Sequence, residues 1–248
     1  MLLQGRKIVN PRRRGSYGID APYWAAFALV LTAINIVNAI IACKTFMIVP
    51  VALMLGVVGF GLHTTLRGKF EVWADLLGKL PLRGDERILD LGCGRGAVLL
   101  MAAQRLTTGT AVGVDVWRGG DQSGNSVDAT KRNAVAEGVA GRVELHTADM
   151  RELPFENKSF DLIVANFAIH NISGRAGRYK AIDEAVRVLR PGGRIMIADM
   201  RGTRQYQKRL VELGMTEISR RSLGWRVWCG GPWAATRLVT ATKPQENT

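Results

Sequence analysis

The chain predicts an α/β fold in which a doubly wound, mostly parallel sheet is preceded by a two-helix apolar hairpin. Three observations carry this. From residue 87 onward, short apolar strand-like runs alternate with helix-like runs. The run Arg87-Ile88-Leu89-Asp90-Leu91 passes directly into Gly92-Cys93-Gly94-Arg95-Gly96 and then into a helix-forming stretch. Ahead of that pattern stand two uncharged apolar stretches separated by Cys43-Lys44.

Residues 1–20 form a basic segment with Arg6, Lys7, Arg12, Arg13 and Arg14. Residues 21–64 form the hairpin. Its spans, Pro22 to Ala42 and Thr45 to Leu62, are each close to the ~20 apolar residues that cross a ~30 Å hydrocarbon core. Basic residues precede the first span, Arg67 and Lys69 follow the second, and only Lys44 lies between. That asymmetry places both ends on the cytoplasmic side of a cell membrane. Gly56, Gly59 and Gly61 are expected to let the two helices approach closely, and Asn35 and Asn38 to hydrogen-bond between them. The same composition also suits two buried core helices, a substrate lid or a shallow insertion. A cleavable signal fits less well because the first span is too long, and a lipoprotein cleavage box at Ile40 to Cys43 is at odds with the second span.

Residues 65–248 read as one soluble domain. Glu71 to Leu80 is a short amphipathic helix stopped by Pro81. Strands are expected at Arg87 to Leu91, Ala111 to Asp115, Val143 to His146, Phe160 to Ala165, Arg194 to Ala198 and Leu238 to Ala241. Helices are expected at Ala97 to Leu106, Val127 to Glu137, Arg178 to Leu189 and Thr203 to Leu213. Ligands of such sheets sit beyond the carboxyl ends of the strands, near the point where strand order reverses.

The 248 residues carry a net charge of +13, three cysteines and three histidines. Cys43, Cys93 and Cys229 have neither a disulfide framework nor metal-ligand spacing, which argues against a metal site and fits a reducing compartment. Nucleic acid, anionic lipid and acidic substrates all suit the charge. Two of three basic clusters flank the apolar spans, as at an anionic membrane face. The third, from Arg201 to Arg237, serves equally well as a solvated surface.

The glycine spacing is G-x-G-x-G rather than the G-x-G-x-x-G of a nicotinamide site, and a carboxylate at Asp90 would repel a pyrophosphate. A cofactor with a cationic amino-acid tail and no phosphate suits the turn, which points to S-adenosylmethionine. From about Glu71 to Lys243 the chain resembles the class I, Rossmann-like S-adenosylmethionine-dependent methyltransferases, whose sheet is seven-stranded. The resemblance implies that Asp90 and the backbone of Gly92, Cys93, Gly94 and Gly96 hold the methionine tail. Asp115, closing the second strand, is placed to accept from both ribose hydroxyls. Trp117 is placed to pack on adenine or simply on the protein, with Val116 beside it. Asp149, followed by Met150, resembles the residue that binds the adenine amino group, and Leu189 to Gly193 resembles the family's structural turn.

Methyl transfer from a sulfonium is an in-line displacement in which the protein mainly aligns the reactants. His170, after the fourth strand, is the candidate base or a backbone-bonded structural histidine. Asn166 contacts cofactor or orders its loop, and Asp199, Met200 and Arg201 stand at the rim. Amino-methyltransferases of nucleic acids carry prolines after this strand; Asn166-Phe167-Ala168-Ile169 has none, which disfavours a nucleic-acid partner. Tyr17-Gly18-Ile19-Asp20-Ala21-Pro22, together with Asp121-Gln122-Ser123-Gly124-Asn125-Ser126, resembles a group of membrane-attached prokaryotic methyltransferases. Trp225, Trp228 and Trp233 suit a membrane interface, a pocket wall or ordinary packing. The expected function is methylation of a small, lipophilic or membrane-delivered acceptor. The alternatives are a tethered enzyme acting on nucleic acid or a soluble small molecule, and a non-catalytic S-adenosylmethionine-binding membrane protein.

Overall fold

A computed structural model describes residues 13–41 and 48–246. Arg6, Lys7, Arg12 and the Cys43-Lys44 link lie outside the described residues. The first helix, α1 (Pro22–Ile41), begins at a proline, whose fixed φ and missing N–H suit a first helical position. The second, α2 (Ile48–His63), packs on α1 and continues through a π turn, Thr64–Gly68, into α3 (Lys69–Gly78). α1 and the continuous helix Ile48–Gly78 are each long and apolar enough to cross a membrane. α1 and α2 are not core helices: Thr32 is the one buried residue of α1, α2 has none, and Tyr23 and Ile41 are 75% and 77% exposed. The expected close approach at Gly56, Gly59 and Gly61 does not occur, since a Cβ at any of them would meet nothing within 4 Å. These glycines face away from α1. Asn35 Nδ2 hydrogen-bonds to its own helix at Leu31 O (2.8 Å) and, as expected, across the hairpin to Met54 Sδ (3.6 Å).

The domain continues as β1 (Arg87–Leu91), α4 (Ala97–Ala103), β2 (Thr110–Asp115), α5 (Val127–Ala136), β3 (Val143–Thr147) and β4 (Phe160–Asn166), followed by α6 (Arg175–Val188), β5 (Leu189–Asp199), α7 (Thr203–Glu212), β6 (Thr216–Ser222) and β7 (Arg237–Thr242). The seven-stranded order is β3-β2-β1-β4-β5-β7-β6. The first five strands are mutually parallel, and β7 runs antiparallel between β5 and β6. Strand order reverses between β1 and β4, which fixes where a ligand crevice opens. Alternation along the strands divides the core. Ile88, Ala111, Leu162, Val164 and Met196 face α3 and α4, whereas Leu89, Val112, Ile163 and Ile197 face α6 and α7.

Two elements differ from the sequence reading. β6 is an additional edge strand, and β5 starts at Leu189 because the pairing jumps from Phe160↔Leu189 to Leu162↔Arg194. The turn Arg190–Gly193 is therefore an irregularity within a strand.

Residues 13–21 form a strap across the domain and do not stand apart from it. Ser16 N donates to Asn133 Oδ1 (2.8 Å), and Tyr17 OH donates to Glu137 Oε1 (3.0 Å). Ile19 N donates to Ser123 Oγ (2.8 Å), Ser123 N donates back to Ile19 O (3.0 Å), and Ala21 N reaches Asp121 O (2.9 Å). The two short motifs of residues 17–22 and 121–126 are thus halves of one interlock. Trp228 packs on Phe60 of α2 at 5.4 Å, and Trp225 stacks on His63 at 5.2 Å.

Candidate active site

A cavity of about 200 Å³ opens beyond the carboxyl ends of β1 to β4, at the reversal of strand order. Its floor is the turn after β1. Gly92 and Gly94 hold φ of +71° and +51° there. A Cβ would come within 2.4 Å of the Ala168 Cβ at the first and 2.5 Å of Gln122 Oε1 at the second, so only glycine serves at either. Cys93 also lines the floor, and burial pushes its thiol well above the usual range, leaving it protonated and inert.

Asp115 stands at the end of β2 with its carboxylate already oriented. Oδ2 accepts Gly94 N (2.8 Å) and Oδ1 accepts Trp117 N (2.6 Å). Oδ1 also accepts Asn125 Nδ2 (3.4 Å), while Oδ2 keeps a lone pair for a ligand hydroxyl. Asn125, also on the cavity wall, has a buried Oδ1 with no hydrogen-bond partner among the described residues. An orphaned acceptor of this kind is satisfied by a ligand donor. Val116 and Met150 complete the apolar wall. Asp149 also faces the cavity, and hydrogen bonds from Arg151 hold its carboxyl below the usual range, keeping it anionic. Asp121 shifts the other way through loss of solvation.

Four residues expected to contact the cofactor are not among those lining the cavity. Asp90 sits beneath the floor, 2% exposed and outside the cavity wall, and burial pushes its carboxyl up to about 8. Gly96 lies behind the turn and opens α4 as a left-handed cap. The Trp117 ring turns from the cavity toward β3, where its Nε1 donates to Thr147 Oγ1 (2.8 Å); its φ of +57° sets that direction. Asn166 Oδ1 accepts Trp73 Nε1 (2.8 Å), which ties the end of β4 to α3.

His170 lies in the turn whose neighbours Phe167, Ala168 and Asn171 line the cavity. Its Nδ1 is 2.6 Å from Asp199 Oδ1, and its backbone N donates to Asp199 Oδ2 (3.1 Å). Asp199 is fully buried and also accepts from Met200 N (2.8 Å) and Tyr206 OH (3.3 Å). Sequence reasoning missed Asp20, Gln122 and Asn125 as site residues; all three lie in the two interlocking motifs.

The fold and this cavity resemble those of class I, S-adenosylmethionine-dependent methyltransferases. Residues 88–193 match a family model described as "Methyltransferase domain". The chain is 38% identical over 124 residues to 27-O-demethylrifamycin SV methyltransferase of Amycolatopsis mediterranei, covering 50% of this chain and 42% of the relative. It is 34% identical over 121 residues to the ubiquinone/menaquinone biosynthesis C-methyltransferase of Geotalea daltonii, covering 49% and 48%. The chain thus spans about half the length of these curated relatives. Among solved structures, a geranyl diphosphate methyltransferase in complex with S-adenosylmethionine aligns with a TM-score of 0.57 at 18% identity, covering 73% of this chain and 87% of that one, which is a likeness of fold. The glycine floor, the oriented Asp115 and the orphaned Asn125 acceptor fit the adenosine part of S-adenosylmethionine.

Proposed function

We propose that the protein is a membrane-anchored enzyme that transfers a methyl group from S-adenosylmethionine to a small lipophilic acceptor, with its catalytic domain on the cytoplasmic face. One observation carries this reading. The strap that leads into the exposed apolar hairpin also supplies a wall of the cofactor cavity, so the cavity opens at the root of the hairpin. An acceptor dissolved in the bilayer would reach that mouth by diffusing in two dimensions. The names of the relatives, a rifamycin-precursor methyltransferase and a quinone-biosynthesis C-methyltransferase, agree with a small acceptor.

S-adenosylmethionine supplies, when bound, a methyl group already activated by its sulfonium. The work left to the chain is alignment and proton removal. Asp115 receives the ribose hydroxyls, Asn125 Oδ1 takes a further donor, and Val116 and Met150 pack against the adenosine. His170, whose Nδ1 lies 2.6 Å from Asp199 Oδ1 and whose backbone N donates to Asp199 Oδ2, takes the acceptor's proton at Nε2. Asp199 fixes the ring and stabilises the imidazolium that forms.

Label transfer tests the proposal. Detergent-purified protein is incubated with methyl-labelled S-adenosylmethionine and a whole-cell extract, which is then separated into organic, aqueous, protein and nucleic-acid fractions. Label is expected in the organic fraction, lost with Asp115→Ala, and reduced about 100-fold or more with His170→Ala at unchanged donor binding. Label confined to the aqueous or nucleic-acid fraction would sink the lipophilic-acceptor reading.

A further inference from the structure

A cofactor with an α-amino group needs a carboxylate or carbonyl oxygen to receive it. Asp90 does not fill that role, being buried beneath the turn and outside the cavity. The acidic side chains that do line the cavity are Asp20, Asp115, Asp121 and Asp149. Asp115 faces the ribose position, Asp149 is claimed by Arg151, and Asp121 is exposed on its loop. Asp20 differs from all three in how firmly it is built in. Its Oδ2 lies 2.6 Å from Nζ of Lys69, whose side chain is only 2% exposed. Its Oδ1 accepts Gln122 Nε2 (2.8 Å), and its backbone N donates to Thr65 Oγ1 (2.9 Å).

Gln122 links this carboxylate to the cofactor floor. Gln122 Oε1 accepts the backbone N of Arg95, the residue after Gly94 (2.7 Å). Two hydrogen bonds therefore separate Asp20 from the glycine turn. A buried lysine is costly unless paired, so the Lys69 ion pair holds Asp20 in place. Lys69 is spent on Oδ2, while Oδ1, shared with one neutral amide, retains acceptor capacity toward the cavity.

We propose that Asp20, carried on the strap at the root of the hairpin, is the residue that receives the α-ammonium of the methyl donor. The inference rests on the methyltransferase reading above and adds to it a binding residue outside the matched domain, which begins at residue 88. Asp20 precedes α1 and Lys69 follows the π turn after α2, so both roots of the hairpin meet at this ion pair.

The test is a comparison of two ligands. S-adenosylhomocysteine carries the amino-acid tail; methylthioadenosine has the same adenosine and sulfur without it. Binding of each is measured by calorimetry to the detergent-purified full chain and to Asp20→Asn, which preserves the side-chain shape. S-adenosylhomocysteine affinity is expected to fall about 10- to 100-fold, as when one charge-assisted hydrogen bond is removed, with methylthioadenosine affinity unchanged. Asp20→Glu is expected to restore part of the loss. Equal loss of both ligands would mean that Asp20 only shapes the cavity and would overturn the inference. Unchanged affinity for both would overturn it as well. If the unaltered chain bound neither compound, the methyl-donor reading itself would fall, and this inference with it.

Discussion

At the scale of the residue, Asp90 shows how position and environment part company. Its place at the end of a strand, before a glycine turn, reads as a ligand contact. The fold instead seals it under that turn, where burial pushes its carboxyl up to about 8, against an opposing hydrogen bond from the Leu99 backbone. An unfolded chain releases this proton near pH 4. Between that range and about 8 the native state holds a proton that the unfolded state has lost. Stability from this group is therefore full below the unfolded range and declines as pH rises through the folded value. The decline is about 1.4 kcal/mol for each pH unit over which only the native carboxyl stays protonated. Asp90→Asn removes the decline. The expected result is that its thermal midpoint gains on that of the unaltered chain progressively from about pH 4 to pH 8 and then levels off; parallel curves would show Asp90 to be ionised in the fold. Asp115 was legible because the end of a strand defines its direction. Trp117 and Asn166 were not, because a left-handed backbone angle turns the first and a partner 93 residues away claims the second.

At the scale of the element, legibility followed burial. The inner strands declared themselves as apolar runs because both sheet faces are covered. β6, Thr216–Ser222, carries Glu217, Arg220 and Arg221 and sits at the sheet edge, where charge is tolerated and protects against edge pairing, so its sequence does not look like a strand. The stem joining hairpin to domain was equally hidden. Its critical residue is Gly68, helical in φ and therefore unremarkable by conformation. A Cβ there would fall 1.6 Å from Arg226 O, the backbone of the turn that carries Trp225. Thr64 Oγ1 donates to Trp228 O (2.9 Å) and Arg226 pairs with Asp75 (2.9 Å), so the turn has little freedom to retreat. Gly68→Ala is expected to cost about 1–3 kcal/mol, as overpacking does, with a shift of tryptophan emission as Trp225 and Trp228 leave the stem. An unchanged thermal midpoint together with unchanged emission would show that the stem and the turn are not packed as described.

At the scale of the whole molecule, the issue is what covers the hairpin. Trp24, Phe27, Leu53 and Leu55 are each at least half exposed, and the apolar surface runs the length of both helices. A soluble monomer rarely leaves a contiguous apolar patch of more than a few hundred Å² uncovered. A bilayer and a second protein surface would both cover it, and they differ in what releases the chain. If binding rested on the basic residues alone, each would contribute about 1 kcal/mol at an anionic surface, and molar salt would screen it away within ~3 Å. Insertion of two helices of this apolar character does not depend on charge. Membranes carrying the protein are therefore expected to keep it through washes in molar salt and in alkaline carbonate, and to release it only to detergent. Release by salt would reduce the hairpin to a peripheral contact. Retention in salt with release by carbonate would point to a protein partner on the membrane. Only retention through both leaves the bilayer as the cover, and with it the two-dimensional supply of acceptor on which the proposed reaction depends.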